Sequence, residues 1–252
     1  MQRDVEIFIQ KLKTKLTPLY TLPNAPGGHD VWHVVRVAGR GERIRERCNL
    51  EFDLEEFEVA VWLHNIDRVH PYCRWIAISE ELGESFKEAF ERNVRAFFLE
   101  GHPFSAYSKE RIIDAVVQHS KKDDEPGDSH LLTALRIADK LDRLNPVGFL
   151  SAVVGSGVDL PIYDPSHPFG EGITVEKYMK SVYDSFFRLL EWVPMLPSDN
   201  ARSLIVKEDL RACINLIRAV GKQLAREHNV PDVIEGNIKK ALGPHYAFYA
   251  CE

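Results

Sequence analysis

The chain lacks a long hydrophobic run, a cluster of cysteines and any excess of positive charge. No apolar stretch approaches the roughly 18–20 residues that a membrane span needs, so no membrane association is expected. The four cysteines, Cys48, Cys73, Cys213 and Cys251, form no close pair. That spacing suits reduced thiols better than a disulfide framework or a thiolate zinc site. The net charge is −6, so no global basic field favours long nucleic acid, although a local basic pocket is compatible with that sum. The N-terminal string MQRDVEIFIQKLKTKL mixes acids with bases and has no apolar signal core. Internal repeats and runs of alternating polarity are also missing. These absences together predict a cytoplasmic protein.

What is present is ordinary for a globular chain: 252 residues, 44% apolar and 28% charged. The length suits one large domain or two small ones. Nearly every periodic segment is helical. Val5, Phe8, Ile9, Leu12 and Leu16 form one apolar stripe, ended by Pro18. A helix is predicted from His29 or Asp30 to about Cys48, with Asp30 as its N-cap. Asp53 caps the next, with Glu56 placed for a capping box. Residues 65–77 read as a loop and 79–100 as one long amphipathic helix. Ser108 and Ser129 are expected to cap two more, the second ending at Asn145-Pro146. Residues 146–172, rich in Gly and Pro, read as a lid or connector. Helices follow over about 174–193, 198–229 and 232–242, then an aromatic tail, HYAFY. The fold class is all-α.

Three polar residues lie on helix faces that should be dry. They stand in GHDVWHVVRV (28–37), AVWLHNIDR (60–68) and ALRIADKLDRL (134–144): His33, His64 and Asp139. His119 shares a face with Ile112, Ala115 and Val116, so its neighbours also draw it inward. A carboxylate on an apolar face carries a high desolvation cost unless a cation neutralises it. Arg136 or Arg143 could supply that cation along the helix. A divalent metal is the other solution, because neutral imidazole and carboxylate are ligands of zinc, manganese and iron sites. Spacing alone leaves a metal centre and a polar core network both open.

In order along the chain, HxxRV (33–37), an apolar run ending LHN (63–65) and ADKLDRL (138–144) resemble the HD-domain superfamily of metal-dependent phosphohydrolases. That family's site is a His, then a His-Asp pair, then a distant Asp. The resemblance covers about residues 20–150. It implies an HD-domain-like helical bundle with additional C-terminal helices (about 174–245), in a single domain spanning 1–252. It also implies one divalent ion (Mn, Zn, Fe, Co, Ni or Mg) held by His33, His64, the residue at 65 and Asp139. His119, in VVQHS, resembles a histidine that many members place near the site, for substrate phosphate or proton transfer. Arg36, Lys140, Lys121 and Lys122 are the basic candidates for a phosphoryl group, with His29 and Asp142 supporting the ligands. Each has a plainer reading. Arg36 could bridge to Asp142, Lys140 could face solvent, Lys121 and Lys122 could sit in a solvated turn, and His119 could donate to a backbone carbonyl.

One residue departs from the family pattern. Position 65 holds Asn where the family has Asp. Asn keeps the shape and a carbonyl oxygen but loses the charge. Two histidines and two aspartates would neutralise a dication, whereas this set leaves one positive charge. Asp67 lies two residues on and is expected to point away. The leading expectation is a metal-dependent phosphohydrolase acting on a small phosphorylated compound, a nucleotide above all. The alternative is a catalytically impaired HD-fold protein that binds a nucleotide or a protein partner. A third reading is a structural helical domain without metal. The two late helices or the tail could build a homodimer face or cover the cavity.

Overall fold

The computed structural model describes residues 2–21, 24–25, 28–98, 101–121, 125, 127–156, 160–164, 181–229 and 232–251, with residues 152–156 described by backbone alone. Among them every regular element is helical, and no helix is long and apolar enough to cross a membrane. The chain forms two compact units, residues 1–139 and 140–252.

The first unit holds α1 (Gln2–Leu16), α2 (Val31–Ala38), α3 (Gly41–Cys48), α4 (Leu54–Leu63), α5 (Tyr72–Glu81), α6 (Phe86–Arg95), α7 (Ala106–Gln118) and most of α8 (His130–Arg143). Helix α4 organises it. Its apolar residues are not confined to one stripe: Phe57, Val59, Ala60, Val61, Trp62 and Leu63 are all buried. Apolar residues spread that widely around a helix need neighbours on several sides, and α1, α2, α3 and α7 all pack on it, while Glu55 and Glu58 keep some exposure. Asp53 starts α4 by accepting from the N–H groups of Glu55 (2.8 Å) and Glu56 (3.0 Å). At the other end, Tyr20 Oη donates to the Trp62 carbonyl at 2.9 Å. That bond satisfies an acceptor which the helix terminus leaves open.

Several local expectations need correction. The helix expected to run from about 30 to 48 is two helices, parted at Gly39 and Arg40. Glycine weakens helix there, and the second segment closes on α4 through Gly41. Glu56 does not complete a capping box. Its buried carboxylate accepts instead from Arg111 Nη2 of α7 at 2.5 Å. The stretch expected to be a loop after His64 holds a short 3-10 turn (66–68) and all of α5. The long helix expected from 79 is interrupted before α6, which Ser85 and Glu88 start with a true capping box. Helix α7 is capped by Ser105, whose hydroxyl accepts from Ser108 N–H at 3.0 Å. The expected cap, Ser108, is therefore the donor of that bond.

The second unit holds α9 (Pro146–Ser156), α10 (Val182–Leu190), α11 (Asp199–Arg202), α12 (Lys207–His228), α13 (Ile234–Leu242) and α14 (Tyr246–Ala250). Helix α10 packs on α9 and α13, and α12 packs on α9, α13 and α14. The start of the expected lid is thus a helix, with Pro146 in its first turn and Asn145 Oδ1 accepting from Gly148 N–H at 3.1 Å. The rest of that expectation, over 157–159 and 165–172, lies outside the described residues. The aromatic tail is helical as α14.

Gly41 shows how tightly α3 meets α4. A Cβ there would lie 2.7 Å from Phe57 Cδ1 and 2.8 Å from Cε1, and Phe57 is itself buried. Gly41→Ala is expected to lower unfolding free energy by about 1–3 kcal/mol through overpacking. A denaturant titration with an unchanged slope and a lower midpoint would register it.

Candidate metal centre

Two donors of the centre are placed by local devices. The Asp30 carboxylate accepts from His33 N–H at 2.9 Å, which starts α2 and sets His33 in its first turn. His64 follows the last residue of α4, and its Nδ1 donates to the Val61 carbonyl at 2.6 Å. A carbonyl only accepts, so the proton sits on Nδ1 and Nε2 presents a lone pair. A hydrogen bond to a backbone carbonyl on the far nitrogen is how ligand histidines are commonly oriented. Asp139 comes from α8.

The three side chains converge. His33 Nε2 lies 3.3 Å from His64 Nε2 and 3.4 Å from Asp139 Oδ1. One donor atom from each residue falls within 4.8 Å of the others. Ligands about 2.1 Å from one ion at tetrahedral angles stand about 3.4 Å apart, so these separations fit a shared divalent cation. Both histidines are fully buried, while the Asp139 side chain is 27% exposed. Asp139 is thus the donor whose side chain meets solvent.

Asn65 joins this cluster. Its side chain is buried, and Nδ2 lies 2.7 Å from His64 Nε2. In that orientation the amide donates to the lone pair a cation would take. Turning the amide over would present Oδ1 at the same place. Asp67, expected to point away from the centre, is buried and is not one of the clustered donors among the described residues. Its Oδ2 pairs with Arg68 Nε at 3.0 Å, and its Oδ1 is buried without a hydrogen-bond partner. Burial raises its pKa above the usual carboxylate value, opposed by Arg68 and His119.

His119 lies beside the centre. Its ring stands edge-on to that of His64, with centroids 5.2 Å apart, and its Nδ1 donates to the Val116 carbonyl at 2.6 Å. The plainer reading and the functional one thus describe the same side chain. His29 is half-buried, its ring centroid 6.0 Å from that of His33. Arg36, one turn after His33 on α2, is also half-buried. Lys140 does not face solvent as its plainer reading had it: it is buried, and Nζ donates to the Met195 carbonyl at 3.3 Å. Asp142 is buried as well, and both belong to the second unit. Arg136, considered above as a partner for Asp139, donates to Asp128 Oδ2 at 2.5 Å and to the Gln118 carbonyl at 3.1 Å. Lys121, itself exposed, lies 3.8 Å from the exposed Glu125, and Lys122 lies outside the described residues. The orienting carbonyls of Val61 and Val116 have no sequence signal, because any residue offers a backbone carbonyl.

His64 is held neutral. Burial is the main cause, with His119 and His33 pushing the same way against Asp139 and the Val61 bond, and its pKa falls to about 3. An unfolded His64 takes up its proton near 6.5. Between these values the unfolded chain binds more protons, so stability falls as pH drops from about 6.5 towards 3. Chelator-treated protein should therefore lose Tm between pH 7 and pH 5. His64→Gln should flatten that dependence in thermal melts across the same range.

No family model matches the chain, and no curated protein matches it. Solved structures do. A Lactobacillus plantarum protein superposes with a TM-score of 0.62 at 16% identity, covering 90% of this chain and 99% of the other. An HD-superfamily hydrolase from Bacillus thuringiensis gives 0.54 at 18% identity, covering 91% and 99%. Bacillus subtilis YpgQ, solved in complex with ADP, gives 0.50 at 20% identity, covering 85% and 97%. At such identities the likeness is one of fold. The chain has the all-α fold of an HD-superfamily hydrolase.

Proposed function

We propose that this protein is a metal-dependent phosphohydrolase acting on a small phosphorylated compound, with a nucleotide as the favoured class. The observation that carries the reading is the convergence of His33 Nε2, His64 Nε2 and Asp139 Oδ1 at 3.3 and 3.4 Å. The hydrolase fold of the Bacillus thuringiensis neighbour supports the reaction class. The ADP bound by YpgQ supports the nucleotide.

In this reading His33, His64 and Asp139 hold one divalent cation. Such an ion, when bound, polarises a phosphoryl oxygen and lowers the pKa of a water. The residues supply the rest. His64 stays neutral and keeps its lone pair for the ion. His119, its Nδ1 committed to Val116, keeps Nε2 for a hydrogen bond or proton on the substrate side. Arg36 brings a guanidinium to the charge that grows on the phosphoryl oxygens. Arg36→Ala is expected to slow phosphate release about 10²-fold, read by steady-state kinetics.

A second reading has an observation of its own. Asn65 Nδ2 donates to His64 Nε2, which satisfies the centre without a cation. It favours an impaired member that binds a nucleotide or a protein partner. The test begins with metal content in protein purified without chelators. Stoichiometric metal in the parent, its loss in His64→Ala and phosphate release from a nucleotide panel are expected. Circular dichroism checks that His64→Ala still folds, since it also loses the Val61 bond. Turnover by Asn65→Asp alone would decide for the impaired reading. Absence of metal from every folded variant would leave only a structural helical domain.

A further inference from the structure

The charge of the centre has a consequence for what it binds. Among the described residues its donor group contains one carboxylate, that of Asp139. The imidazoles of His33 and His64 serve as neutral ligands, and Asn65 adds an uncharged amide. The acid next along the chain, Asp67, is already paired with Arg68. A dication among these donors leaves about one net positive charge, where a second aspartate would leave none. His33, His64 and Asn65 are all buried, and an unbalanced charge at such a place is costly. The open side lies at Asp139, whose side chain is 27% exposed. An anion from solvent can enter there.

We propose that Asn65 makes this a centre that takes up a divalent cation and a phosphate-class oxyanion together, the anion supplying the negative charge that a carboxylate at 65 would carry. The idea rests on the metal-centre reading above and extends it from what the centre holds to how it holds it. Binding of the two is reciprocal: each raises the affinity of the other by the same factor. A chain with Asp at 65 is neutral with the cation alone and has less to gain from the anion. The amide also contributes a donor. With a cation on His64 Nε2, the N–H group of Asn65 is released from that nitrogen and can donate to an oxyanion, which no ionised aspartate can do.

The test uses the intact, chelator-stripped protein and calorimetric titration with Mn²⁺, with and without inorganic phosphate. In the parent, phosphate is expected to tighten Mn²⁺ binding about tenfold, within the usual range of such couplings. In Asn65→Asp the same phosphate should change it by less than about threefold. Asn65→Ala, which also lacks the charge, should keep most of the coupling and guards against a misfolded aspartate variant. Equal coupling in the parent and Asn65→Asp would overturn the proposal, as would loss of coupling in Asn65→Ala or no phosphate effect in the parent. In each of those cases Mn²⁺ still binds, and the metal-centre reading survives. Failure of the parent to bind Mn²⁺ at all would remove both.

Discussion

A helix whose last turn is buried on every side cannot hand its polar end to water. Helix α4, packed by α1, α2, α3 and α7, is buried throughout Val59–Leu63 and is followed at once by His64. The imidazole must find its partners inside the protein. It finds one in the Val61 carbonyl, and the second nitrogen is left facing His33 and Asp139. The caps at Asp30 and Asp53, the Tyr20 bond to Trp62 and the Glu56–Arg111 bridge between α4 and α7 fix the segments around that arrangement. Packing thus decides where the polar cluster sits before any chemistry is considered.

The cluster's electrostatics follow from the same enclosure. Burial keeps His64 neutral across the physiological range, which is the form a metal requires. Enclosure also makes the centre sensitive to one unit of charge. On the surface, Asn for Asp would be a minor change, because solvent screens it. Here the donors around position 65 are dry. In the proposed centre the carboxamide would alter both the cation's hold and the preference for what arrives beside it.

Much of this was legible in the sequence because the signals were local. The stripe from Val5 to Leu16, the caps at Asp30, Asp53 and Ser129, and polar residues set in apolar strings (His33, His64, Asp139) each need only a few neighbours. The errors came from partners at a distance or from competing local rules. Glu56 stands three residues after a cap, yet its carboxylate goes to Arg111 on another helix. Tyr72 and Trp75 follow a proline and resemble a loop, but Pro71 simply precedes the first turn of α5, a position helices tolerate well. Gly39 divides a pattern that periodicity alone reads as continuous. The plainer reading of Lys140 put it in water, but it is buried, with its ammonium on the Met195 carbonyl. A backbone carbonyl as partner was foreseen for His119, but which carbonyl orients it or His64 has no sequence signal, since any residue offers one.

His64 and His119 share one arrangement: each follows the final residue of its helix and turns Nδ1 back to the carbonyl three residues earlier. A single bond thereby satisfies a carbonyl in a helix's last turn and selects a tautomer. Architecture and chemistry are thus entangled in one ring: removing either imidazole takes away a nitrogen facing the cluster and, in the same stroke, uncovers a buried carbonyl at the end of a helix.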